Sequence, residues 1–439
     1  MKLLFIENRY KTFFFDAIAK KLTEKGYTIH WIIQNHEFLP NAKSTKHVIP
    51  YPKGVYEYTP DNEISKIIEG DRQINHFNKK DISYFYYYNQ KIKEIVETIK
   101  PDVIFGEATA FHELLVVKNA RELKIPFLNP TTSRYPVGRF AFYQYDTLEP
   151  FMGSGEVYTN TEAKKVIDSI VHKQVVPDYM KKRATSQTKI FKDIFLKSKS
   201  YLSGEKYNTP HPIVKYKVEQ KKKKNISTWN ALAVTKIDDN KFKVLYPLQM
   251  QPEANLDVWG RKHRDQTLLV KKIIANLSSD TILYIKPNPK SKYELSPSLI
   301  KLINQTPNII ALHHSCTMEE VFPKIDMVIT VTGTIAIESI LANKPVLTLA
   351  KTLNNQAKNA IYLANCSEIA TYETQVKEGT FPKISESEKI DFINLLNKTS
   401  FSGIISDPYS DPKSISKENI DLLVGHFEFV LEKIYTEVN

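Results

Sequence analysis

The sequence predicts an α/β protein built from two doubly wound domains. In both halves of the 439-residue chain, apolar runs of strand length alternate with segments in which apolar residues recur at helical spacing. A chain of this length is also long for a single hydrophobic core. Neither a GxGxxG nor a GxxxxGK[ST] motif is present, so the two commonest phosphate-binding loops are not indicated.

The amino-terminal half opens as a βαβ unit. A strand is predicted at residues 2–7, an amphipathic helix at 13–25 before Gly26, and a second strand at 28–34. A Tyr- and Phe-rich helical pattern at 62–100 leads to a strand at 103–105, a helix at 112–123 and a strand around 126–128. Residues 129–150 match neither period and are predicted to form a long loop lining a site. Residues 151–224 are predicted to be a helical arm that ends in a basic linker.

The second half repeats the alternation from about residue 241. Its predicted strands are 243–246, 281–285, 309–312, 327–331 and 346–349, and its helices are 268–277, 298–305, 318–322, 385–397 and 417–435. The last helix is long enough to cross back to the first domain. We therefore expect one domain at 1–235, a second at 236–410 and a returning helix at 411–439. Two such domains favour the GT-B architecture, in which a nucleotide sugar binds in the cleft between them. In that architecture 1–235 would be the acceptor domain and 236–410 the nucleotide-sugar domain.

Charge and cysteine content limit the class of partner. The net charge of +12 and the pI near 9.2 indicate an anionic partner: nucleic acid, an acidic lipid surface or an acidic substrate. Much of the excess lies at 180–224, but no RNA-binding, zinc-finger or helix-turn-helix signature accompanies it, which disfavours nucleic acid. Two cysteines, no signal-peptide pattern and no apolar stretch of membrane-spanning length predict a cytoplasmic protein, in solution or on the inner face of the plasma membrane.

Polar residues follow three strands of the second half. The candidates for donor binding are Gln249, Gln251 and Glu253 after the first strand, Lys286 and Asn288 after the second, and Thr332, Gly333, Thr334 and Glu338 after the third. The carboxyl ends of parallel strands meet at one edge of a sheet. The third strand is followed by the turn Thr332–Thr334 and then by an apolar segment of helical period. This turn suits a phosphate, and Glu338 lies about one turn into the predicted helix, where it could accept from a ribose.

The order and spacing of these segments, followed by Asn343–Lys344–Pro345–Val346, resemble the bacterial capsule polysaccharide biosynthesis family. The resemblance covers about residues 243–350 well and the first half only loosely. Characterised members include transferases of Kdo (3-deoxy-D-manno-octulosonic acid) from CMP-Kdo. The histidine of the family's Lys-x-His-Pro segment is replaced here by Asn288, which cannot carry a proton at neutral pH. Lys286 or the helix amino terminus would then stabilise the leaving group.

The catalytic groups are expected in the first half. Glu107 ends a predicted strand and is a candidate base or nucleophile, although it could instead cap the next helix; His112 and Glu113 lie just beyond. Arg134 and Arg139 could pair with a sugar carboxylate, while Asp146 and Glu149 are weaker candidates. No Asp-x-Asp motif stands out, so neither a metal ion nor another cofactor is expected.

The resemblance implies transfer of Kdo or a sialic-acid-like nonulosonic acid from its CMP donor to a bacterial surface polysaccharide or glycolipid. Two alternatives stay open. One is a UDP-sugar 2-epimerase, which shares the two-domain fold. The other is a non-catalytic assembly protein that docks on anionic membranes through residues 180–224.

Overall fold

The computed structural model describes residues 1–177, 180, 187–237 and 240–438, without the side chains of 187–190, 437 and 438. The chain divides into two compact units. Unit 1 comprises Met1–Val157, Val176–Lys215 and Leu396–Asn439, and unit 2 comprises Tyr158–Val175 and Tyr216–Leu395. These boundaries differ from those expected at 235 and 410, because 158–175 and 216–235 pack with unit 2 and 396–410 with unit 1.

Unit 1 is built on a seven-stranded sheet. Its strands are β1 (Lys2–Ile6), β2 (Thr28–Ile33), β3 (Thr45–Val48), β4 (Val103–Phe105), β5 (Phe127–Thr132), β6 (Arg139–Gln144) and β13 (Phe401–Ser402). The spatial order is β13-β6-β5-β4-β1-β2-β3. All neighbours are parallel except that β6 runs antiparallel to β5 and to β13. The chain winds outward from β1 first to one side and then to the other, as a doubly wound fold requires.

Helices cover this sheet. They are α1 (Lys11–Glu24), α2 (Asn62–Gly70), α3 (Arg72–His76), α4 (Ser83–Ile99), α5 (Phe111–Glu122), α7 (Gln187–Leu202) and α16 (Lys417–Val438). The carboxyl-terminal helix α16 buries Leu423, Phe427 and Leu431 in the core that contains Phe5 and Phe105. The predicted return of this helix to the amino-terminal fold is confirmed.

Strand β6 corrects the prediction of a loop over residues 129–150. Phe140 and Phe142 are two residues apart on β6 and both lie in the core of unit 1, as side chains on the same face of a strand do. The strand is paired on one side with β5 and on the other with the two residues of β13. Because β13 comes from near the end of the chain, this pairing also draws residues 396–410 into unit 1.

Unit 2 is built on a six-stranded, wholly parallel sheet. Its strands are β7 (Phe242–Pro247), β8 (Thr281–Lys286), β9 (Ile309–Ala311), β10 (Met327–Thr330), β11 (Val346–Thr348) and β12 (Ala360–Tyr362), in the order β12-β11-β10-β7-β8-β9. The five predicted strands are present and β12 adds a sixth. Two Rossmann-like sheets in one chain are the fold class that the sequence predicts.

Nine helices of the described chain belong wholly or mainly to unit 2. They are α6 (Asn160–Val171), α8 (Pro212–Leu232), α9 (Ala254–Asp257), α10 (Gln266–Ile274), α11 (Pro297–Gln305), α12 (Met318–Val321), α13 (Ile335–Leu341), α14 (Ile369–Lys377) and α15 (Glu386–Lys398). Short 3-10 helices lie at Arg261–His263, Phe322–Lys324, Leu353–Gln356, Cys366–Glu368 and Pro412–Ile415.

Helix α8 corrects the prediction of a basic linker. The run Lys221–Lys224 lies inside this continuous helix, because lysine is a good helix former and no breaker interrupts the segment. Trp229 fixes the end of the helix: it is fully buried, and its Nε1 donates to the carbonyl oxygen of Leu312 at 2.9 Å. The other basic cluster of the sequence, residues 181–183, lies outside the described residues.

Candidate functional site

The strand order of unit 2 reverses between β7 and β10. From β7 the chain proceeds to β8 and β9 on one side, then returns to β10 on the other. Ligands of open α/β sheets bind outside the carboxyl ends of the strands at such a point. The side chain of Gln249, which follows β7, spans the reversal by donating from Nε2 to Thr330 Oγ1 at 3.3 Å. Gln249 therefore lies where the sequence predicts a donor site.

The loop after β7 is held by Gln266, a residue that sequence reasoning missed. Its Oε1 accepts from the Tyr246 hydroxyl at 3.1 Å and from the Gln249 backbone N–H at 2.9 Å. Its Nε2 donates to the Gln249 carbonyl oxygen at 2.8 Å and to Gln251 Oε1 at 3.1 Å. The only feature of the sequence that could have indicated Gln266 is its position at the start of α10. A glutamine at the start of a helix does not by itself indicate a role in a site.

Gln251 and Glu253 are engaged within the same loop. Gln251 Nε2 donates to Asp257 Oδ1 at 3.1 Å and to the Arg264 carbonyl oxygen at 3.0 Å. Glu253 Oε2 accepts from Asn255 Nδ2 at 3.2 Å. These two predicted donor-binding residues thus shape the loop that carries Gln249.

Gly333 follows the end of β10 and allows a close approach of side chains. A Cβ atom at this position would lie 2.7 Å from Thr330 Oγ1 and 3.2 Å from Gln249 Nε2. The Gly333 N–H donates to Thr330 Oγ1 at 3.2 Å, and Thr332 Oγ1 donates to the Asn255 carbonyl oxygen at 3.1 Å. Thr334 immediately precedes α13. The turn therefore adjoins the Gln249 loop, as the sequence predicts.

Lys286 ends β8, next to β7, and only 3% of its surface is exposed. Its Nζ donates to the Pro287 carbonyl oxygen at 3.4 Å, and no carboxylate pairs with it among the residues that the structure describes. Burial lowers the pKa of this ammonium group, because a desolvated charge without a counterion is unfavourable. An anion bound at this edge of the sheet would supply that counterion.

His314 is a second residue that sequence reasoning missed. Its Nδ1 lies 2.8 Å from Asn230 Oδ1, and its Nε2 lies 3.1 Å from the hydroxyl of Ser291, which donates to the Asn288 carbonyl oxygen. Burial, and then the charge of Lys286, lower the pKa of His314 to about 4. Although residue 288 is asparagine, a neutral imidazole therefore lies beside its turn. The Asn288 side chain itself accepts from the Lys290 N–H.

Glu338 is paired within unit 2. Its carboxylate forms an ion pair with Lys173, which follows α6. Helix α6 packs against α13, the helix that carries Glu338. Contact with a ribose, as the sequence predicts, would therefore compete with Lys173. No local sequence pattern indicates this lysine, because it lies 165 positions away from Glu338.

Unit 1 has the same kind of strand reversal, between β1 and β4. Asn8 follows β1, and its Nδ2 donates both to Glu107 Oε2 at 2.8 Å and to Glu113 Oε1 at 2.6 Å. Lys11 forms an ion pair with the other oxygen of Glu107. Glu107 thus lies at the predicted sheet edge with its carboxylate held by an amide and a cation.

Glu113, rather than Glu107, caps helix α5. Its Oε2 accepts from the backbone N–H groups of Thr109 and Ala110 at 3.0 and 2.7 Å and from the Thr109 hydroxyl at 2.9 Å. Glu113 is fully buried. Burial, and then the nearby charge of Glu107, raise the pKa of Glu113 to about 7, so the carboxylate pair can retain one proton near neutral pH.

His112 lies in a buried network instead of facing solvent. Its Nε2 donates to the Glu7 carbonyl oxygen at 2.8 Å, and its Nδ1 accepts from Asn208 Nδ2 at 3.1 Å. Burial lowers the pKa of His112 and raises that of Glu7. Glu7, which sequence reasoning missed, accepts from the backbone N–H groups of Arg9 and Asn35.

Arg139 belongs to a different part of unit 1. It starts β6, and its guanidinium donates to the Ser400 hydroxyl and carbonyl oxygens at 2.8 Å, with an ion pair to Glu156 at 2.8 Å. Arg134 lies between β5 and β6, beside Tyr143: burial raises the pKa of Tyr143, and the charge of Arg134 opposes that rise. The structure therefore gives Arg139 contacts with the carboxyl-terminal segment and none with Glu107 among the described interactions.

The two weaker candidates lie near the end of β6. Asp146 pairs with Arg121 at 2.5 Å, and the Glu149 N–H donates to Thr147 Oγ1. Among the described residues, no group of three or more His, Cys, Asp or Glu side chains is arranged to hold a metal ion.

Residues 157–357 match the family model described as "Capsule polysaccharide biosynthesis protein". This match confirms the resemblance seen in the strand-end motifs for the part of the chain that it covers, and it begins beside Tyr158, where unit 2 begins. No curated protein sequence matches the chain.

Several solved structures are similar. The β-Kdo 2,7 transferase KpsC of Thermosulfurimonas dismutans is 9% identical, with 97% of this chain and 99% of that chain covered and a TM-score of 0.39. A UDP-GlcNAc 2-epimerase of Methanocaldococcus jannaschii is 14% identical, with 94% and 97% covered and a TM-score of 0.25. MurG of Acinetobacter baumannii is 11% identical, with 90% and 94% covered and a TM-score of 0.27. Similarity at this level does not decide between transfer and epimerisation.

Proposed function

Starting from the capsule polysaccharide biosynthesis family, which residues 157–357 match, we propose that this chain is a glycosyltransferase of capsule synthesis. Its donor is an acidic sugar, Kdo or a sialic-acid-like nonulosonic acid, activated as the CMP derivative. Its acceptor is a bacterial surface polysaccharide or glycolipid. The observation that carries the proposal is Lys286, a buried cation at the carboxyl edge of the unit 2 sheet with no carboxylate partner in the described part of the chain.

The donor chemistry needs a cation at the leaving group. Transfer breaks the bond between the anomeric carbon and the phosphate oxygen of CMP, and negative charge accumulates on that phosphate. A fixed ammonium in a water-poor site stabilises such charge strongly. Lys286 supplies it, and Gln249 and the Thr332–Gly333 turn provide polar groups after β7 and β10, the next two strands of the same sheet. This scheme uses no metal ion or other cofactor.

Glu107 is the group that we propose as general base. It would take the proton of the acceptor hydroxyl while that oxygen bonds to the anomeric carbon. Asn8 and Lys11 orient its carboxylate. His112 and Arg139 are already engaged inside unit 1, so of the predicted catalytic set Glu107 has the contacts best suited to proton transfer. Arg134 remains a candidate for the sugar carboxylate.

Calorimetric titration with CMP, UDP and GDP tests the donor. We expect binding of CMP, with weaker or no binding of the other two nucleotides. Tight binding of UDP with none of CMP would overturn the donor assignment. Incubation with UDP-GlcNAc and no acceptor tests the epimerase alternative, which requires a 2-epimer to form.

An activity assay with the Glu107→Gln variant tests the base. Loss of general-base catalysis should lower kcat by about 100-fold or more, with CMP affinity unchanged because Glu107 and Lys286 belong to different units. Unchanged kcat would exclude Glu107 as the base. Complete absence of turnover of any CMP-sugar by the unmodified protein would favour the non-catalytic alternative.

A further inference from the structure

Helix α7 packs on unit 1 through its polar side. The Asp193 carboxylate accepts from the Tyr10 hydroxyl at 3.0 Å, and the hydroxyl of Ser200, which is fully buried, lies 3.3 Å from Asn35 Oδ1. Lys199, half-exposed, reaches back to Glu37 at 2.6 Å. Hydrogen bonds and an ion pair therefore help to hold this helix on unit 1.

The opposite side of α7 is apolar and open to solvent. Phe191 is 69% exposed, Ile194 55%, Phe195 67% and Leu202 85%. At about 100° per residue, these four positions fall within an arc of about 100° on the helix surface. A surface helix of a globular protein normally turns such a stripe toward the core. In α7 the polar side faces the protein and the apolar side faces solvent. An exposed apolar surface of this kind marks an interaction site.

Lysines border the apolar stripe. Lys192 lies on the helix next to Phe191, is exposed and has no ion pair among the described residues. Lys199 follows on the same border, two turns further along the helix. An apolar face bordered by lysines complements acyl chains beneath a layer of anionic headgroups. No described helix is long and apolar enough to cross a bilayer, so contact of this kind would lie in the plane of the interface.

We propose that α7 is an interfacial helix whose apolar stripe, Phe191, Ile194, Phe195 and Leu202, inserts into the surface of an anionic lipid bilayer. Lys192, beside the stripe, contacts the headgroups. This proposal differs from docking by the basic charge of residues 180–224 alone, because insertion of apolar side chains persists when salt screens the charges. It does not rest on the proposed sugar transfer.

Vesicle co-sedimentation tests the proposal with the full-length protein. The unmodified chain should bind vesicles of phosphatidylcholine with added phosphatidylglycerol and should retain part of that binding at about 0.5 M salt, where the Debye length is only a few ångströms. The Phe191→Ser/Phe195→Ser variant should lose about tenfold or more in affinity at either salt concentration. As the matched control, Val55→Ser/Leu422→Ser removes two other exposed apolar side chains, 82% and 42% exposed, and should bind as the unmodified chain does.

A fluorescence readout separates insertion from adsorption. In a Phe195→Trp variant, brominated lipids should quench the added emission, and the unmodified chain provides the background of the three native tryptophans. The proposal would be overturned if the serine variant bound vesicles as well as the unmodified chain does. It would also be overturned if brominated lipids did not quench the added emission. Absence of vesicle binding together with self-association abolished by the serine substitutions would identify the stripe as a protein interface instead. Circular dichroism spectra and urea unfolding midpoints equal to those of the unmodified chain show that the variants are folded.

Discussion

An amide side chain bridges the point in each sheet where the strand order reverses. Asn8 links the ends of β1 and β4 in unit 1 through Glu107, and Gln249 links the ends of β7 and β10 in unit 2 through Thr330. An amide both donates and accepts without carrying charge, so it can join loops from two strands beside an ionised group. The groups held in this way are a carboxylate pair in unit 1 and, in unit 2, the loop after β7, the strand that pairs with the β8 strand ending at Lys286.

The pKa of Glu113 makes folding stability depend on pH. Because its folded pKa is about 7 and its unfolded value is near 4.5, the folded state holds a proton that the unfolded state releases between these values. The stabilisation from this group is present below about pH 4.5 and is lost as pH rises through about 7, by roughly 3 kcal/mol in all. Urea denaturation measures the free energy of unfolding at pH 5 and at pH 8. Between these values it should fall less in Glu113→Gln than in the unmodified chain. Glu122→Gln, on the same helix but exposed, is the control, and an unaltered decline in Glu113→Gln would contradict the assignment.

Substitution of Lys286 separates binding from stability. Lys286→Met keeps the aliphatic stem and removes the charge, so CMP should bind at least about tenfold more weakly, as expected for loss of a charge-assisted hydrogen bond of roughly 1.5–3 kcal/mol. Unfolding free energy should stay the same or rise, because a buried cation without a counterion is destabilising. Calorimetry and urea denaturation measure the two quantities. The exposed Lys271→Met variant should change neither, and a loss of stability without a loss of affinity would assign Lys286 a structural role.

At the scale of elements, Arg139 joins β6 to the carboxyl-terminal segment. Its guanidinium bonds Ser400, Ser154 and Asn397 as well as Glu156. Arg139→Met would leave several buried acceptors without donors, so we expect a loss of about 3–5 kcal/mol of unfolding free energy. Arg121→Met, which breaks a half-exposed ion pair with Asp146, should lose no more than about 1 kcal/mol. A raised KM for the acceptor with unchanged stability would instead support the sequence prediction that Arg139 binds substrate.

The elements that the sequence reveals are those with a regular apolar period. Strands β1, β4, β8 and β10 are buried over most of their length, and their apolar runs predict them within one or two residues. Strand β6 was not predicted because prolines and a glycine precede it. Strand β13 was not predicted because two residues are too few to show an alternation of apolar and polar side chains. The pairing of β6 with β13 joins Phe140 to Phe401, a separation in sequence that no local pattern reports.

The same limit applies to the candidate site. The position of Gln249, Lys286 and Gly333 at the sheet edge was predictable, because each lies at or just after the end of a strand. Gln266, His314 and Lys173 reach the edge from helices and loops elsewhere in the chain, so only the fold brings them there. The orientation of α7 is a further case: residues 151–224 are predicted to be a helical arm, but only the structure shows that α7 carries an apolar stripe that faces solvent.

At the scale of the whole molecule, tryptophan emission can follow the thermal unfolding of each unit separately, with and without ligand. Trp31 is buried in unit 1, whereas Trp229 and Trp259 belong to unit 2. If the nucleotide binds unit 2 alone, it should stabilise that unit by about 2.7 kcal/mol at 100 times its Kd. Each unit has its own sheet and core, so we expect the two sets of tryptophans to report different thermal midpoints.

Tryptophan variants measure this division. In Trp31→Phe, where emission comes only from unit 2, CMP should raise the unfolding midpoint by a few degrees, the shift expected for that free energy in a unit of this size. In Trp229→Phe/Trp259→Phe, emission comes from unit 1, and CMP should leave the midpoint unchanged. UDP at the same concentration is the control in both. A shift confined to the Trp31 signal would assign the nucleotide to the sheet that carries Glu107 and remove Lys286 from the donor site, because a ligand stabilises only the unit whose folded state it binds.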